Sequence, residues 1–376
     1  MLSPFFSAPT VLVGHPFAPI GMGEHLRTTF RALRAAHVPV HVLDVYGFAN
    51  PDPDLKTELE PFLVENVGRG TSIFCVNGDE VEAVFDRLGR RANGERRIIY
   101  PAWELANYPA IWARQLERFE EVWASSIFTH GSIARSVSVP VHHLPLATEP
   151  RLRQPLGRRA FGIPDASYVF LFFFDLTSFI ERKNPFAALE AFRRVLEARP
   201  GQDVRFVVKL NSSHTRPEAR QRFLDFIRPL GDWIILLDRT MTDAEVKALH
   251  LCCDAFVSLH RSEGYGFGLA EAMFFGRPVI ATGYSGNIDF MNADTAFLLD
   301  YQLVPAPEGA YPHATGQVWA EPDVKQAADI MVRLIDNPTE GRIVGEAASR
   351  RIRTHFSHRA AGLRYAARLG YGETKA

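Results

Sequence analysis

Glu263-Gly264-Tyr265-Gly266-Phe267-Gly268-Leu269-Ala270-Glu271 is the stretch on which the fold is decided. It follows an apolar run, Ala255 to Leu259, of strand length and strand character, and it leads into Leu269-Ala270-Glu271-Ala272-Met273, a helical pattern. A strand, a glycine loop and a helix in that order form half of a βαβ unit, and units of that kind build parallel sheets. Glycines at such a loop let the backbone come close to a ligand, and the free N–H groups and dipole of the helix start favour a phosphate. Glu271 falls about one helical turn past Phe267, roughly 6 Å at 1.5 Å rise per residue, so its carboxylate can reach past a diphosphate to ribose hydroxyls. Glu263 stands before the loop. Two carboxylates so placed bracket a nucleotide-linked sugar, one at each end. The bland reading is a glycine-rich turn with a solvated acid before it and a favourable first-turn charge after it.

The same alternation runs outward in both directions. Upstream in the same half of the chain, strands are expected at Tyr168 to Phe174, Val204 to Leu210 and Trp233 to Leu237, and downstream at Pro278 to Ala281. Helices separate them: one opens at Asn184-Pro185 and runs to about Ala198, and Thr242 with Glu245 marks a capping box for another ending near Leu251. Two more helical patterns follow Pro322, the last through Ala360, Leu363, Tyr365 and Leu369. The polar stretch Pro150-Arg151-Leu152-Arg153-Gln154-Pro155 reads as a linker, and before it the pattern occurs a first time. There Val11 to Gly14 is a strand, Pro16 to Gly23 a turn-rich loop, and Leu26, Phe30 and Leu33 a helix face; Val38 to Val45, Ser72 to Val76, Arg97 to Tyr100, Glu121 to Ala124 and Val141 to Leu146 are further strands. The expected fold is therefore α/β, with two doubly wound domains whose strand carboxyl ends form the binding edges of a central cleft.

Bulk properties narrow the function. A chain of 376 residues, 47% hydrophobic and 23% charged, is long enough for two cores and is not disordered. Forty-two Lys and Arg against forty-three Asp and Glu leave a net charge of -1 and no field to attract a nucleic-acid backbone. The three cysteines, Cys75, Cys252 and Cys253, have no CxxC spacing and read as buried thiols in a reducing compartment. The first 23 residues lack Asp, Glu, Lys and Arg, yet they have no basic start and are broken by Pro4, Pro9, Pro16 and Pro19, which suits a first core strand better than a leader. The apolar run Tyr168 to Phe174 is too short to span a bilayer. The expectation is a soluble, cytoplasmic protein, compatible with peripheral contact at the inner face of a membrane. The histidines suggest no metal cluster, since His142 and His143 are adjacent on a strand and point to opposite faces.

The pair Glu263 and Glu271, seven residues between them, resembles the acidic motif of the retaining nucleotide-sugar glycosyltransferases of family 4 (glycosyl transferases group 1), which have the GT-B fold. Ser285-Gly286-Asn287, Lys183 before a helix, and Glu121-Val122-Trp123-Ala124-Ser125-Ser126 extend the resemblance over most of the chain. It implies an acceptor domain at residues 1–150, joined by a C-terminal helix at about 357–376, and a nucleotide-sugar domain at 151–356. It also implies that Glu271 binds the donor ribose, that Glu263 lies beside the transferred sugar, and that Gly264, Tyr265, Gly266, Phe267 and Gly268 cradle the donor. Lys183 would contact the diphosphate, and neither metal nor other cofactor would be needed. The implied partners are a UDP- or GDP-linked sugar and a glycan, lipid-linked or small-molecule acceptor, in a polysaccharide or glycolipid synthesis setting.

Other positions keep two readings. The family's Gly-Arg pair after the first strand of the second domain is replaced by Phe174-Asp175, so Arg182 or Lys209 would supply the missing charge. Gly21 and Gly23 suit a loop facing phosphate and acceptor, or a tight turn alone. Arg239 borders the nucleotide base or ends an ordinary turn. No histidine stands where the family carries one near the acceptor; Trp103 could stack on a sugar face and Glu104 bond a hydroxyl, or the two could be core and surface. Arg151, Arg153, Arg158 and Arg159 suit an anionic acceptor or a solvated linker. Against transfer stand a GT-B-like epimerase or phosphorylase and a catalytically silent nucleotide-sugar-binding protein.

Overall fold

The computed structural model describes residues 9–211 and 213–371; the outer parts of the expected spans, 1–8 and 372–376, lie outside the described residues. The chain divides into two compact units, one of residues 1–149 with 354–376 and one of 150–353, so the sequence boundaries differ from the structural ones by one residue at the linker and three at the last crossover.

In the first unit, strands β1 (Thr10–Gly14), β2 (Val40–Asp44), β3 (Thr71–Cys75), β4 (Arg96–Ile99), β5 (Glu121–Ala124) and β6 (Val141–His143) form one sheet, all pairs parallel, in the order β2-β1-β3-β4-β5-β6. Helices α1 (Gly21–Ala35), α2 (Pro53–Leu59), α3 (Val81–Leu88), α4 (Ala110–Leu116) and α5 (Ile127–Ala134) alternate with the strands. Leu12, Val13, Ile73, Phe74, Ile98, Ile99, Val122 and Trp123 are fully buried, as strands covered on both faces must be. The C-terminal helix, His358–Leu369, packs on α1, where Gly362 comes so close that a Cβ would stand 2.0 Å from the Ala32 carbonyl oxygen. Arg368 ion-pairs there with the buried Glu121.

In the second unit, β7 (Tyr168–Asp175), α6 (Ile180–Lys183), α7 (Pro185–Ala198), β8 (Val204–Asn211), α8 (Pro217–Ile227), β9 (Ile234–Asp238), α9 (Asp243–Cys252), β10 (Ala255–Ser258), α10 (Phe267–Phe274), β11 (Val279–Thr282) and β12 (Phe297–Leu299) build a second parallel sheet, ordered β12-β11-β10-β7-β8-β9. A run of aromatic rings, Phe170, Phe172, Phe174, Phe192, Phe206 and Phe223, fills its core. The Thr242–Glu245 capping box starts α9 as its sequence predicts. A hairpin of β13 (Tyr301–Pro305) and β14 (Val318–Pro322) follows, then α11 (Val324–Asp336) and α12 (Pro338–His355). Three helices thus follow Pro322 where two patterns are legible, because Pro338 ends the first at Asn337 and opens a second. The three cysteines are buried and unpaired.

Strand order places the chemistry. In each sheet the chain winds one way from a central strand and then the other, and loops at the carboxyl ends diverge at that switch point to leave a crevice. The switch lies between β7 and β10 in the second unit and between β1 and β3 in the first.

Candidate functional site

The loops after β7 and β10 meet at the second unit's switch point, and they carry Arg182, Lys183 and Glu263. Glu263 is 6% exposed. Arg182 Nη1 lies 3.1 Å from its Oε2, and Lys183 Nζ donates to Oε1. Burial alone would raise the pKa of this carboxyl; the positive charges of Lys183 and then Arg182 outweigh it and hold Glu263 at about 2, so it is a carboxylate at neutral pH. Its backbone is fixed too: the N–H donates to Ser285 Oγ at 2.8 Å, and the carbonyl accepts from Gly286 N–H at 2.9 Å. Gly286 can be nothing larger, since a Cβ would stand 2.0 Å from the Gly264 carbonyl oxygen. This gives Ser285-Gly286-Asn287 a physical role: it clamps the loop that carries Glu263. Asn287 accepts from the buried His260 at 3.1 Å, and burial lowers the pKa of that ring so that it stays neutral.

The second carboxylate is held by different groups. Glu271, 5% exposed on α10, receives Lys247 Nζ on one oxygen and lies 3.3 Å from His250 Nε2 through the other. Lys247 and His250 are one turn apart on α9 and present one face to it. Neither belongs to a motif that the sequence displays. The local signal for them is the i, i+3 spacing of a lysine and a histidine on the helix that precedes the acidic motif.

Between the carboxylates, Gly266 stands at the N-cap of α10 with a φ of +99°, left-handed backbone that glycine supplies, and among the described residues no side-chain cap bond is made there. Gly268 lets the helix lie close to the sheet, with a Cβ position 3.3 Å from Phe256. Tyr265 and Phe267 pack edge to face at 5.1 Å, and Tyr265 is buried against Phe290. Three non-glycine residues with positive φ lie in these loops, Phe179 at +63°, Asn184 at +52° and Ser285 at +76°. Such backbone costs on the order of 1–3 kcal/mol each and persists where surrounding structure imposes it, commonly at functional sites.

Asp175, in place of the expected arginine, receives Thr177 N–H at 2.8 Å and the Asn211 amide at 2.7 Å. Lys209 is registered beside Phe173, whose ring packs on His250, so its stem rises from the sheet face that carries the Glu271 cluster. Among the described residues its ammonium makes no hydrogen bond or ion pair, and burial lowers its pKa. Arg239 is half-exposed and bonded to Glu245 at 2.7 Å. The arginine therefore belongs to the helix start as much as to any ligand.

In the first unit, Gly23 is required by packing, because a Cβ would meet the Ala18 carbonyl oxygen at 2.2 Å, whereas Gly21 faces open space. Trp103 does not suit a sugar platform. It is 2% exposed, packs edge to face on Tyr108 and Trp112, and donates its indole N–H to the Asn107 carbonyl at 3.1 Å. The aromatic cluster after β4 claims it for the core, and Glu104 beside it is half-buried. What the first switch point does present is His15, after β1, at 2.7 Å from Glu80, after β3, with the His15 ring stacked on Tyr46 at 4.5 Å. His15 lies 65 positions from its partner, so no local pattern could join them. Among the described residues no group of three or more His, Cys, Asp or Glu side chains is placed to hold a metal ion, and no helix is long and apolar enough to cross a membrane.

Residues 168–337, from β7 to just past α11, match the model of the family glycosyl transferases group 1. Over nearly its full length the chain is similar to HepE of Anabaena, solved with UDP and glucose, at 14% identity and a TM-score of 0.67, covering 97% of this chain and 100% of that one. It is similar likewise to sucrose-phosphate synthase of Thermosynechococcus elongatus, at 16% identity and a TM-score of 0.69, covering 97% and 99%. These likenesses, with the two parallel sheets, define the fold as GT-B. Among curated proteins, a trehalose synthase of Pyrococcus horikoshii is 25% identical over 179 residues, 46% of this chain, and the match spans only 37% of that enzyme. The likeness to glycosyl transferases group 1 thus lies in the second unit, and the likeness in fold extends over both units.

Proposed function

We propose that the protein transfers a sugar from a nucleotide-diphospho-sugar to an acceptor hydroxyl with retention of anomeric configuration, as enzymes of family 4 do. The observation that carries this reading is the pair of buried carboxylates flanking an uncapped, glycine-started helix, each held by its own cation: Glu263 by Arg182 and Lys183, Glu271 by Lys247. In this reading the start of α10 binds the diphosphate, Glu271 accepts from the ribose hydroxyls, and Glu263 accepts from the sugar. Lys183, Arg182 and the unpaired Lys209 neutralise charge as the bond from the anomeric carbon to the diphosphate breaks, which is where electrostatic stabilisation counts most. No cofactor or metal enters the proposal. The acceptor is assigned to the first unit, with His15 and Glu80 at its switch point in place of Trp103.

UDP-glucose is the first donor to test, since UDP and glucose accompany the HepE structure. Calorimetric titration with UDP, followed by transfer assays over a panel of sugar, glycan and lipid-linked acceptors with UDP- and GDP-linked donors, tests the reading. Binding with Glu271→Ala or Lys183→Ala at wild-type affinity and rate would remove it. Turnover of donor without acceptor would favour an epimerase, a requirement for free phosphate a phosphorylase, and binding without any turnover a silent binding protein.

A further inference from the structure

Arg182 and Lys183 sit on a four-residue helix, α6, between residues with positive φ at Phe179 and Asn184. A segment so short cannot hold its own geometry, because helix nucleation is unfavourable without tertiary support. The support comes from Arg261, two residues before Glu263. Its backbone N–H donates to the Arg182 carbonyl at 2.8 Å and its Nη1 to the Glu181 carbonyl at 2.6 Å, so one residue takes two consecutive carbonyls of the turn. On its other side Arg261 makes a bidentate pair with Glu321 of β14, at 2.7 and 3.1 Å. Its carbonyl accepts from Ala320 N–H at 3.0 Å, and its guanidinium lies 5.4 Å from the centre of the buried Trp319 ring. The loop of the same hairpin reaches the turn again: Tyr311 packs edge to face on Phe179 at 5.0 Å and lies 5.5 Å from the Arg182 guanidinium.

We infer that Arg261 and the β13–β14 hairpin form a latch that positions Arg182 and Lys183 toward the leaving diphosphate, with Arg261 as the positioning residue and Glu321 as its anchor. The inference rests on the proposed glycosyl transfer and adds to it a segment, residues 301–322, that the acidic motif does not include. Among the described residues the Arg261 side chain bonds Glu321 and the Glu181 carbonyl and neither Glu263 nor Glu271; it acts through the α6 backbone. A planar fork held on two sides is not reproduced by lysine, which keeps the charge and the backbone bond but loses the bidentate geometry.

The test uses the full chain with its best donor. Arg261→Lys and Glu321→Ala should each lower kcat by about tenfold or more, the scale of losing a charge-assisted hydrogen bond at a site that acts on the transition state. Donor KM should change by less than about threefold, and the melting temperature should be nearly unchanged. Glu321→Gln, which keeps an acceptor for the fork, should recover most of the rate. Arg261→Lys/Glu321→Ala should be little worse than either single variant, because the two act as one unit. Wild-type kcat in Arg261→Lys and Glu321→Ala, a loss confined to KM, or a loss that follows the melting temperature would each overturn the latch while leaving glycosyl transfer standing. A wild-type protein that neither binds nor turns over nucleotide sugars would overturn both.

Discussion

Lys247→Met separates the structural from the functional role of Glu271. The Lys247 and Glu271 side chains are 6% and 7% exposed, and the next cationic candidate near Glu271, His250, is fully buried with its pKa lowered by that burial. Removing the ammonium therefore leaves a buried carboxylate beside a neutral ring, a loss on the order of 3–5 kcal/mol. Removing both charges together, as Lys247→Met/Glu271→Leu, leaves an apolar pair of similar volume and should recover most of that loss, less the cost of the bond that the buried His250 Nε2 gives up. Nucleotide binding should not return with it. If Glu271 accepts from both ribose hydroxyls, the double variant gives up two hydrogen bonds to a charged group, together about 3 kcal/mol, or roughly 150-fold in Kd. Urea denaturation gives the first quantity and calorimetric titration with UDP the second. A 2′,3′-dideoxy nucleotide should bind wild type as weakly as UDP binds the double variant. The reasoning fails if Lys247→Met is as stable as wild type, or if the double variant binds UDP within about threefold of it.

Three further outcomes are expected. Gly286→Ala forces a Cβ against the backbone of Gly264, so the two loops must separate and the bond to the Glu263 carbonyl is lost; about 1–3 kcal/mol of stability and at least about tenfold in donor affinity should go with it, read by denaturation and titration. His25, fully buried, has its pKa lowered to about 3 by desolvation, so its neutral form belongs to the folded state and the unfolded chain binds the extra proton. Its contribution is complete above pH 6.5 and lost as pH falls toward 3; the decline should be about 2 kcal/mol between about pH 6.5 and 5, and His25→Leu should flatten that part of the stability curve. His15→Ala should raise acceptor KM or lower kcat by about tenfold with UDP affinity unchanged, since it belongs to the first unit; a changed Kd for UDP would refute that assignment.

How far the sequence discloses this protein depends on the range of the interaction concerned. Strand, loop and helix alternation is local, because burial on both sheet faces writes itself into short apolar runs such as Tyr168–Phe174, and the expected strands lie within a few residues of those observed. The motif Glu263–Glu271 is legible for the same reason: a loop that leaves a strand and starts a helix needs glycine within that span. What stays hidden is held by residues far apart in the chain. Glu263 owes its ionised state to groups about 80 positions upstream, Arg261 reaches 60 positions forward to Glu321, and His15 finds Glu80 across 65. Edge strands fail for a related reason. β12, Phe297–Leu299, is apolar but only three residues long, and the largely exposed β13 lacks the apolar run that marks a buried strand, so little that is local distinguishes either from loop. Trp103 is the opposite case: a residue chemically suited to a sugar face is claimed by two aromatic neighbours, Tyr108 and Trp112, which pack on it and on each other. Ligand chemistry and core packing draw on the same aromatic side chains, and only the position of the ring relative to the carboxyl edge of the sheet separates them. By that criterion His15 and Glu80, which flank the first unit's switch point, are better acceptor candidates than any residue chosen for its side-chain type.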